Sequence, residues 1–168
     1  MGAVTQTYRA SANLTVTNLH SIASSPTWVA GWTSAVIDNS SDLDLDKAIS
    51  CKFTFGNVTT AGDVRIYAFC EQEDGTIPAV FSAGTPGTEG TATVTTATIR
   101  DAAMVLVNAF TNRVANGDVY WTPKTSLRGA FGGILPKKVY LFISHSTGVN
   151  LAASGNQVTV TGYAESVA

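Results

Sequence analysis

Three kinds of residue in this sequence could do chemistry: an acidic row, two histidines and two cysteines. The row lies in "SDLDLDKAISCKFTF", residues 41–55, where Asp42, Asp44 and Asp46 alternate with leucines. A helix-flanked calcium loop needs alternating oxygens, a glycine at the sixth position and a bidentate glutamate at the twelfth. Counted from Asp42, those positions hold Lys47 and Phe53, so no metal site is expected. Period-2 alternation accounts for the row instead. Leu43, Leu45, Ile49, Cys51, Phe53 and Phe55 fall on one side of an extended chain. The aspartates fall on the other, a solvated strand face, with Lys47 alone out of step.

His145 stands between Ser144 and Ser146, as a nucleophile would beside its base. Neighbours on a strand point to opposite faces, so neither serine is expected to meet the imidazole. His145 reads as a strand-end residue bonded to loop backbone, and His20, in "TNLHSIASS", has less context still. Cys51 and Cys70 lie in apolar runs without the spacing of a zinc site and are expected to be inert buried thiols, with a bridge across a hairpin as the alternative. "GAFGGI" is neither a P-loop nor a dinucleotide fingerprint; it is expected to let backbone pass close to a strand. No rule of spacing selects a pair of facing carboxylates. The expectation is a protein with no catalytic residues, no metal and no cofactor.

The elements that would position these residues are strands. Period-2 or wholly apolar runs occur at 13–17, 27–37, 43–55, 63–70, 92–99, 103–111, 119–122, 138–145 and 157–164. Turn-forming stretches such as "DNSSD", "GTPGTEG" and "RGAFGG" separate them. The prediction is an all-β, antiparallel two-sheet sandwich, jelly-roll-like, of about eight strands. Residues 1–12 form an N-terminal arm and 13–168 a single domain, with the arm and the loop at 82–90 the flexible pieces. "MVLVNAF" and "VYLFISH" are apolar on both faces and are expected in central strands; "RDAAMVLVNAF" also has fair helix propensity. With 168 residues the chain can bury about 70% of its unfolded surface without disulfides.

The formal net charge is −2 and 13% of residues are charged, scattered singly, which excludes the clustered cations of a nucleic-acid surface. The first residues lack a signal-peptide pattern, and no apolar run approaches the roughly 18 residues of a membrane span. A soluble protein made in a host cytoplasm is expected. Its uncharged surface suits packing against other protein. Trp28 and Trp32, four apart, would share a face if both lay on one strand, and Tyr120 and Trp121 flank a turn. Buried, these aromatics are core; exposed, Trp28, Trp32, Tyr120 and Trp121 are candidate partner contacts.

The C-terminal third, "LRGAFGGILPKKVYLFISHSTGVNLAASGNQVTVTGYAESVA", resembles the ending of a group of small structural proteins of tailed bacteriophages. Upstream, "SAVIDNSSDLDLDKAISCKFTFG" is similar to the Ile-Asp-Asn turn and amphipathic strand of the same group. Asp38, Asn39, Gly132, Gly133, Leu135, Pro136, His145, Thr147 and Gly148 occupy the matching positions, and together the two stretches cover about two fifths of the chain. The resemblance implies a jelly-roll-like domain on a virion: a head decoration (cement) protein bound to the major capsid protein or other virion proteins, assembled as a homotrimer. It carries no active site across. The alternative keeps the sandwich as a carbohydrate- or receptor-binding domain of a tail or appendage, with Trp28, Trp32 or Trp121 as platforms.

Overall fold

The computed structural model describes residues 4–56, 61–84, 87–112 and 117–167. Parts of the turns predicted at 56–63 and 82–90, and the first three residues of the arm, lie outside the described residues. Two antiparallel sheets pack face to face, as alternating apolar patterns require. The first sheet is built from β1 (Val4–Tyr8), β2 (Ala12–Asn13), β5 (Asp46–Thr54), β10 (Val119–Trp121), β11 (Thr125–Ser126) and β13 (Gln157–Val167). The second contains β3 (Ala30–Thr33), β4 (Ile37–Asp38), β6 (Asp63–Cys70), β7 (Phe81–Ala83), β8 (Gly90–Val94), β9 (Val105–Thr111) and β12 (Lys138–His145). Two short helices, α1 (Ala97–Ala103) and α2 (Leu127–Ala130), complete the chain.

Several strands are collinear pieces of one position. β1 and β2 lie along one edge of β13, β3 and β4 along β12, and β10 and β11 along β5. The first sheet then runs β2-β13-β5-β10 and the second β3-β12-β6-β9. The chain passes between the sheets in the eight-position order of a jelly roll, staying in the second sheet only from β6 to β9. The hairpin of β7 and β8 extends the second sheet beyond it.

The main core lies between the sheets. Ile49, Cys51 and Phe53 of β5 and Val158 and Val160 of β13 meet Val64, Ile66 and Ala68 of β6 and Val139, Leu141 and Ile143 of β12. Each fully buried large side chain contributes roughly 1.5–3 kcal/mol through removal from water. A second cluster explains why "VYLFISH" is apolar on both faces. Tyr140 and Phe142 point to the outer side of the second sheet, where Tyr67, Phe69, Val80, Val94 and Met104 cover them. β12 is central, between β3 and β6, as predicted.

"MVLVNAF" departs from expectation: β9 is an edge strand, paired to β6 alone. Its two-sided apolarity comes from a β-bulge. Ile66 pairs with Asn108 and Tyr67 with Leu106, so Val107 is an extra residue and the inward parity switches there. Val105 and Val107 pack inward before the switch and Phe110 after it. The preceding "ATIRDAA" is α1 rather than the end of a strand; the strand predicted over 92–99 stops at Val94. Thr96 caps the helix by accepting from Ile99 N–H at 3.1 Å. The arm predicted over residues 1–12 carries a strand, and every residue from 5 to 13 is exposed.

Candidate docking surface

One end of the sandwich gathers Asp38, Asn39, Gly132, Gly133, Leu135 and Pro136 of the motif residues; His145, Thr147 and Gly148 lie at the other. β4 ends there, β5 and β12 begin there, and the connections 39–45, 71–80 and 127–137 cover it. The Ile-Asp-Asn turn and the Gly-Gly-Ile-Leu-Pro loop meet at this end, where Asn39 N–H donates to Lys137 O at 2.7 Å. Asn39 also closes its own loop. Its Nδ2 donates to Asp44 O and its Oδ1 accepts from Asp44 N–H, both at 3.0 Å. Asp38 Oδ1 accepts from the Ser40 hydroxyl at 2.6 Å and from Ser40 N–H at 2.7 Å, an Asx turn, and those two bonds hold the carboxyl below its ordinary range.

The second loop is fixed from both sides. Ser126 caps α2 by accepting from Gly129 N–H at 2.7 Å, and Asp46 Oδ1 accepts from Arg128 N–H at 2.9 Å. Arg128 Nε donates to Gly133 O, and Gly133 N–H returns to Arg128 O, each at 2.8 Å. Gly132 and Gly133 have φ of 74° and 104° with open space where a Cβ would stand. They permit a left-handed turn rather than the close backbone approach expected of "GAFGGI".

These fixed loops hold large aliphatic side chains in water. Leu43, at φ 50°, is 76% exposed and Ile134 78%. Leu45 is also exposed. Beside Ile134 opens a cleft of about 430 Å³, lined by Phe131, Pro136, Lys137, Lys138 and Glu71 among others. Glu71 is anchored: Tyr140 Oη donates to its Oε1 at 2.5 Å, and Lys138 Nζ lies 3.1 Å from Oε2. The Tyr140 bond holds the Glu71 carboxyl below its ordinary range, while burial pushes the Tyr140 hydroxyl up.

The acidic row corrects the expectation of a solvated strand face. β5 begins only at Asp46, and the Asp44 side chain is fully buried. Asp44 Oδ1 lies 2.5 Å from Arg9 Nε, and Oδ2 lies 3.1 Å from Lys47 Nζ, an ionic contact without hydrogen-bond alignment. Lys47 Nζ also reaches Asp42 Oδ2 at 2.8 Å. Lys47 is therefore in step after all. It sits on the inward side of β5, past the apolar core, with its charge compensated. Gly162 of β13 makes the room, because a Cβ there would overlap the Asp44 carboxylate.

The aromatic candidates separate. Trp32 is fully buried, and its indole N–H donates to Glu89 Oε1 at 2.6 Å, so it is core and not a partner contact. Trp28 does not share a face with it: the strand begins at Ala30, and Trp28 sits in a turn at φ 53° with the Arg65 guanidinium 3.6 Å from its ring centroid. Tyr120 packs inward on Phe55 and Phe110. Trp121, 65% exposed on the outer face of the first sheet, stands across from Lys52, whose Nζ is 5.4 Å from the ring centroid. Sequence reasoning put Leu43 and Leu45 on the apolar strand face, whereas both precede β5 and are exposed, and it missed Ile134. Their one signal is a large aliphatic residue beside turn formers.

The remaining chemistry-bearing residues lie elsewhere. Cys51 is free and buried, its thiol pushed up to about 12 by burial; Cys70 is free and half-buried at the end of β6. His20 Nδ1 is 3.1 Å from Asn156 Nδ2. At the far end of the sandwich His145 is buried, with Nε2 3.1 Å from Ile22 O and Nδ1 3.0 Å from Thr147 Oγ1. A carbonyl only accepts, so Nε2 carries the proton toward Ile22 O, while the Thr147 hydroxyl beside Nδ1 donates to Val149 O at 3.1 Å. Ser144 and Ser146 turn instead to Ala30 O and Asp63.

Burial holds the His145 pKa below its ordinary 6.5. The unfolded chain then takes up a proton at pH values where the folded chain does not. Unfolding free energy measured with urea is expected to fall as pH drops below about 6.5, with a slope from this group of at most about 1.4 kcal/mol per unit. His145→Gln should remove that slope. An unchanged slope in the variant would assign it to another group.

No family model and no curated protein matches the chain. Among solved structures it is similar to the infectious bursal disease virus VP2 subviral particle at 15% identity and a TM-score of 0.22, too low to carry an argument. The alignment covers 99% of this chain, which spans 42% of that protein's length. Among the described residues no group of three or more His, Cys, Asp or Glu could hold a metal ion, and no helix is long and apolar enough to cross a membrane.

Proposed function

We propose that this chain is a non-enzymatic structural protein of a phage virion, a decoration (cement) protein that binds assembled capsid subunits and stabilises the head. The observation that carries the reading is the end surface, where Leu43 and Ile134 stand in water on loops already fixed by hydrogen bonds. Apolar side chains on preordered backbone dock with little ordering cost, which is what a protein contact needs. The partner comes from the resemblance: the Asp38–Asn39 turn and the Gly132–Gly133–Leu135–Pro136 loop that meet here lie in the segments that resemble those of phage structural proteins. Copies would sit on the capsid as a homotrimer, each burying on the order of 1,000 Å² or more across its contacts. Binding the assembled lattice and not free subunits stabilises the particle by mass action.

The double substitution Leu43→Asp, Ile134→Asp tests this. Both side chains are solvated, so thermal stability should stay within about 0.5 kcal/mol of the parent. Binding to capsids should weaken by roughly thirtyfold, the effect of losing a contact worth about 2 kcal/mol. Decorated particles should also lose their added resistance to heating. Undiminished decoration by the variant, or particles equally heat-resistant without the protein, would reject the reading.

Trp121 supports a second reading, a glycan-binding face. Its exposed indole stands at the edge of a polar surface carrying Lys52, Gln157, Thr159 and Asn13. A saccharide bound there should shift tryptophan emission, and Trp121→Ala should abolish the shift. A glycan array without hits ends that reading.

A further inference from the structure

Residues 4–14 form a continuous edge on β13. β1 pairs Val4–Tyr8 with 163–167, Arg9 N–H donates to Gly162 O at 2.9 Å, β2 pairs with Thr159 and Val160, and Leu14 N–H donates to Val158 O at 2.9 Å. No side chain from 5 to 13 enters the apolar core; Leu14 is the first to pack against it. The arm is held by backbone bonds, by edge contacts such as Tyr8 on Tyr163, and by Arg9. Arg9 Nε meets Asp44 and its Nη2 donates to Asp42 O at 2.8 Å, directly over Gly162.

Without Arg9 that socket holds two carboxylates, Asp42 and Asp44, against the single ammonium of Lys47. It is anionic, lined by carboxylate and carbonyl oxygens, and open where an extended chain would cross it. What fits is a guanidinium delivered on a strand that pairs with β13. We propose that the arm is an exchangeable element: residues 4–13 of one copy pair with β13 of a second copy and place Arg9 in its Asp44 socket. The contacts are the same within a chain and between chains, so exchange costs little and joins copies without a new interface. The hinge is at Asn13–Leu14, where packing on the core begins. The exchange is a property of the protein in solution and does not depend on capsid binding.

Gln6 and Glu165 face each other in the ladder, with Gln6 Nε2 3.2 Å from Glu165 Oε1. The single variants Gln6→Cys and Glu165→Cys, both in a Cys70→Ser background, are unfolded as an equimolar mixture, refolded together and oxidised. The expected product is a covalent heterodimer well in excess of both homodimers, and Arg9→Ala in both chains should remove that excess. The double variant Gln6→Cys, Glu165→Cys on one chain reports the register, and circular dichroism checks each fold. A bridge forming only within the double variant overturns the proposal, because the arm then stays on its own chain. Failure of both bridges overturns it as well, since the arm then does not lie on β13.

Discussion

Asp44→Ala is expected to lower the unfolding free energy by about 3–5 kcal/mol, the usual result of removing one member of a buried ion pair. Asp44 is fully buried, and Lys47, whose side chain is 8% exposed, depends on it. Without it Lys47 keeps only Asp42, on the solvent side. For a chain of this size the midpoint of thermal unfolding should fall by roughly 6–20 °C. The cause is testable by coupling. If the loss comes from stranding the Lys47 charge, Lys47→Met should recover part of it, so that the double variant is less damaged than the two single effects summed. Strict additivity would mean that the two side chains do not act together. The variant should also loosen the arm, read as faster amide exchange along β1, because the partner of Arg9 is gone.

The second large effect is expected at Arg100, the one charged residue of α1 whose side chain is nearly inaccessible. Its Nη1 donates to the carbonyls of Thr27 and Trp28 at 2.8 and 2.9 Å, and its guanidinium lies 4.9 Å from the Tyr67 ring centroid. The turn it secures places Trp28 in the left-handed region, which a bulky residue adopts only under constraint. Arg100→Leu fills much of the space but leaves two inward carbonyls without this donor, at about 1–3 kcal/mol each. A total loss near 3 kcal/mol is expected by urea unfolding. Arg100→Lys should recover less than half of it, because an ammonium cannot serve both carbonyls and lie flat on Tyr67. A loss below about 1 kcal/mol for Arg100→Leu would show that the turn stands without its help.

The sandwich was legible because period-2 patterning is local and strong: β6 and β12 lie at the bounds their residues predict, and the jelly-roll order follows once the collinear pieces are joined. The misreadings share a cause. Alternation fixes which side a residue takes, but not where a strand begins. At Asp42–Asp46 the pattern continued backward into a loop, so Asp44 was assigned to water when it lies under Arg9. At "MVLVNAF" a single inserted residue imitated a doubly buried strand. Trp28 and Trp32 carry the right spacing for a shared face, but a left-handed turn stabilised by an arginine seventy-two positions away separates them. Such long-range hydrogen bonds leave no periodic trace. The proposed docking surface was the least legible part, since an exposed leucine is unremarkable in sequence and acquires meaning only when its loop is seen to be closed by hydrogen bonds.

The bulge at Val107 has a bearing on how copies avoid one another. A long, straight border with unsatisfied amides invites run-on polymerisation, and β9 is the outermost strand on its side of the second sheet. The extra residue breaks the regular spacing of donors and acceptors, so a second β9 laid alongside cannot match along its whole length. Fibre growth is thereby discouraged on the flank of the molecule that β9 borders.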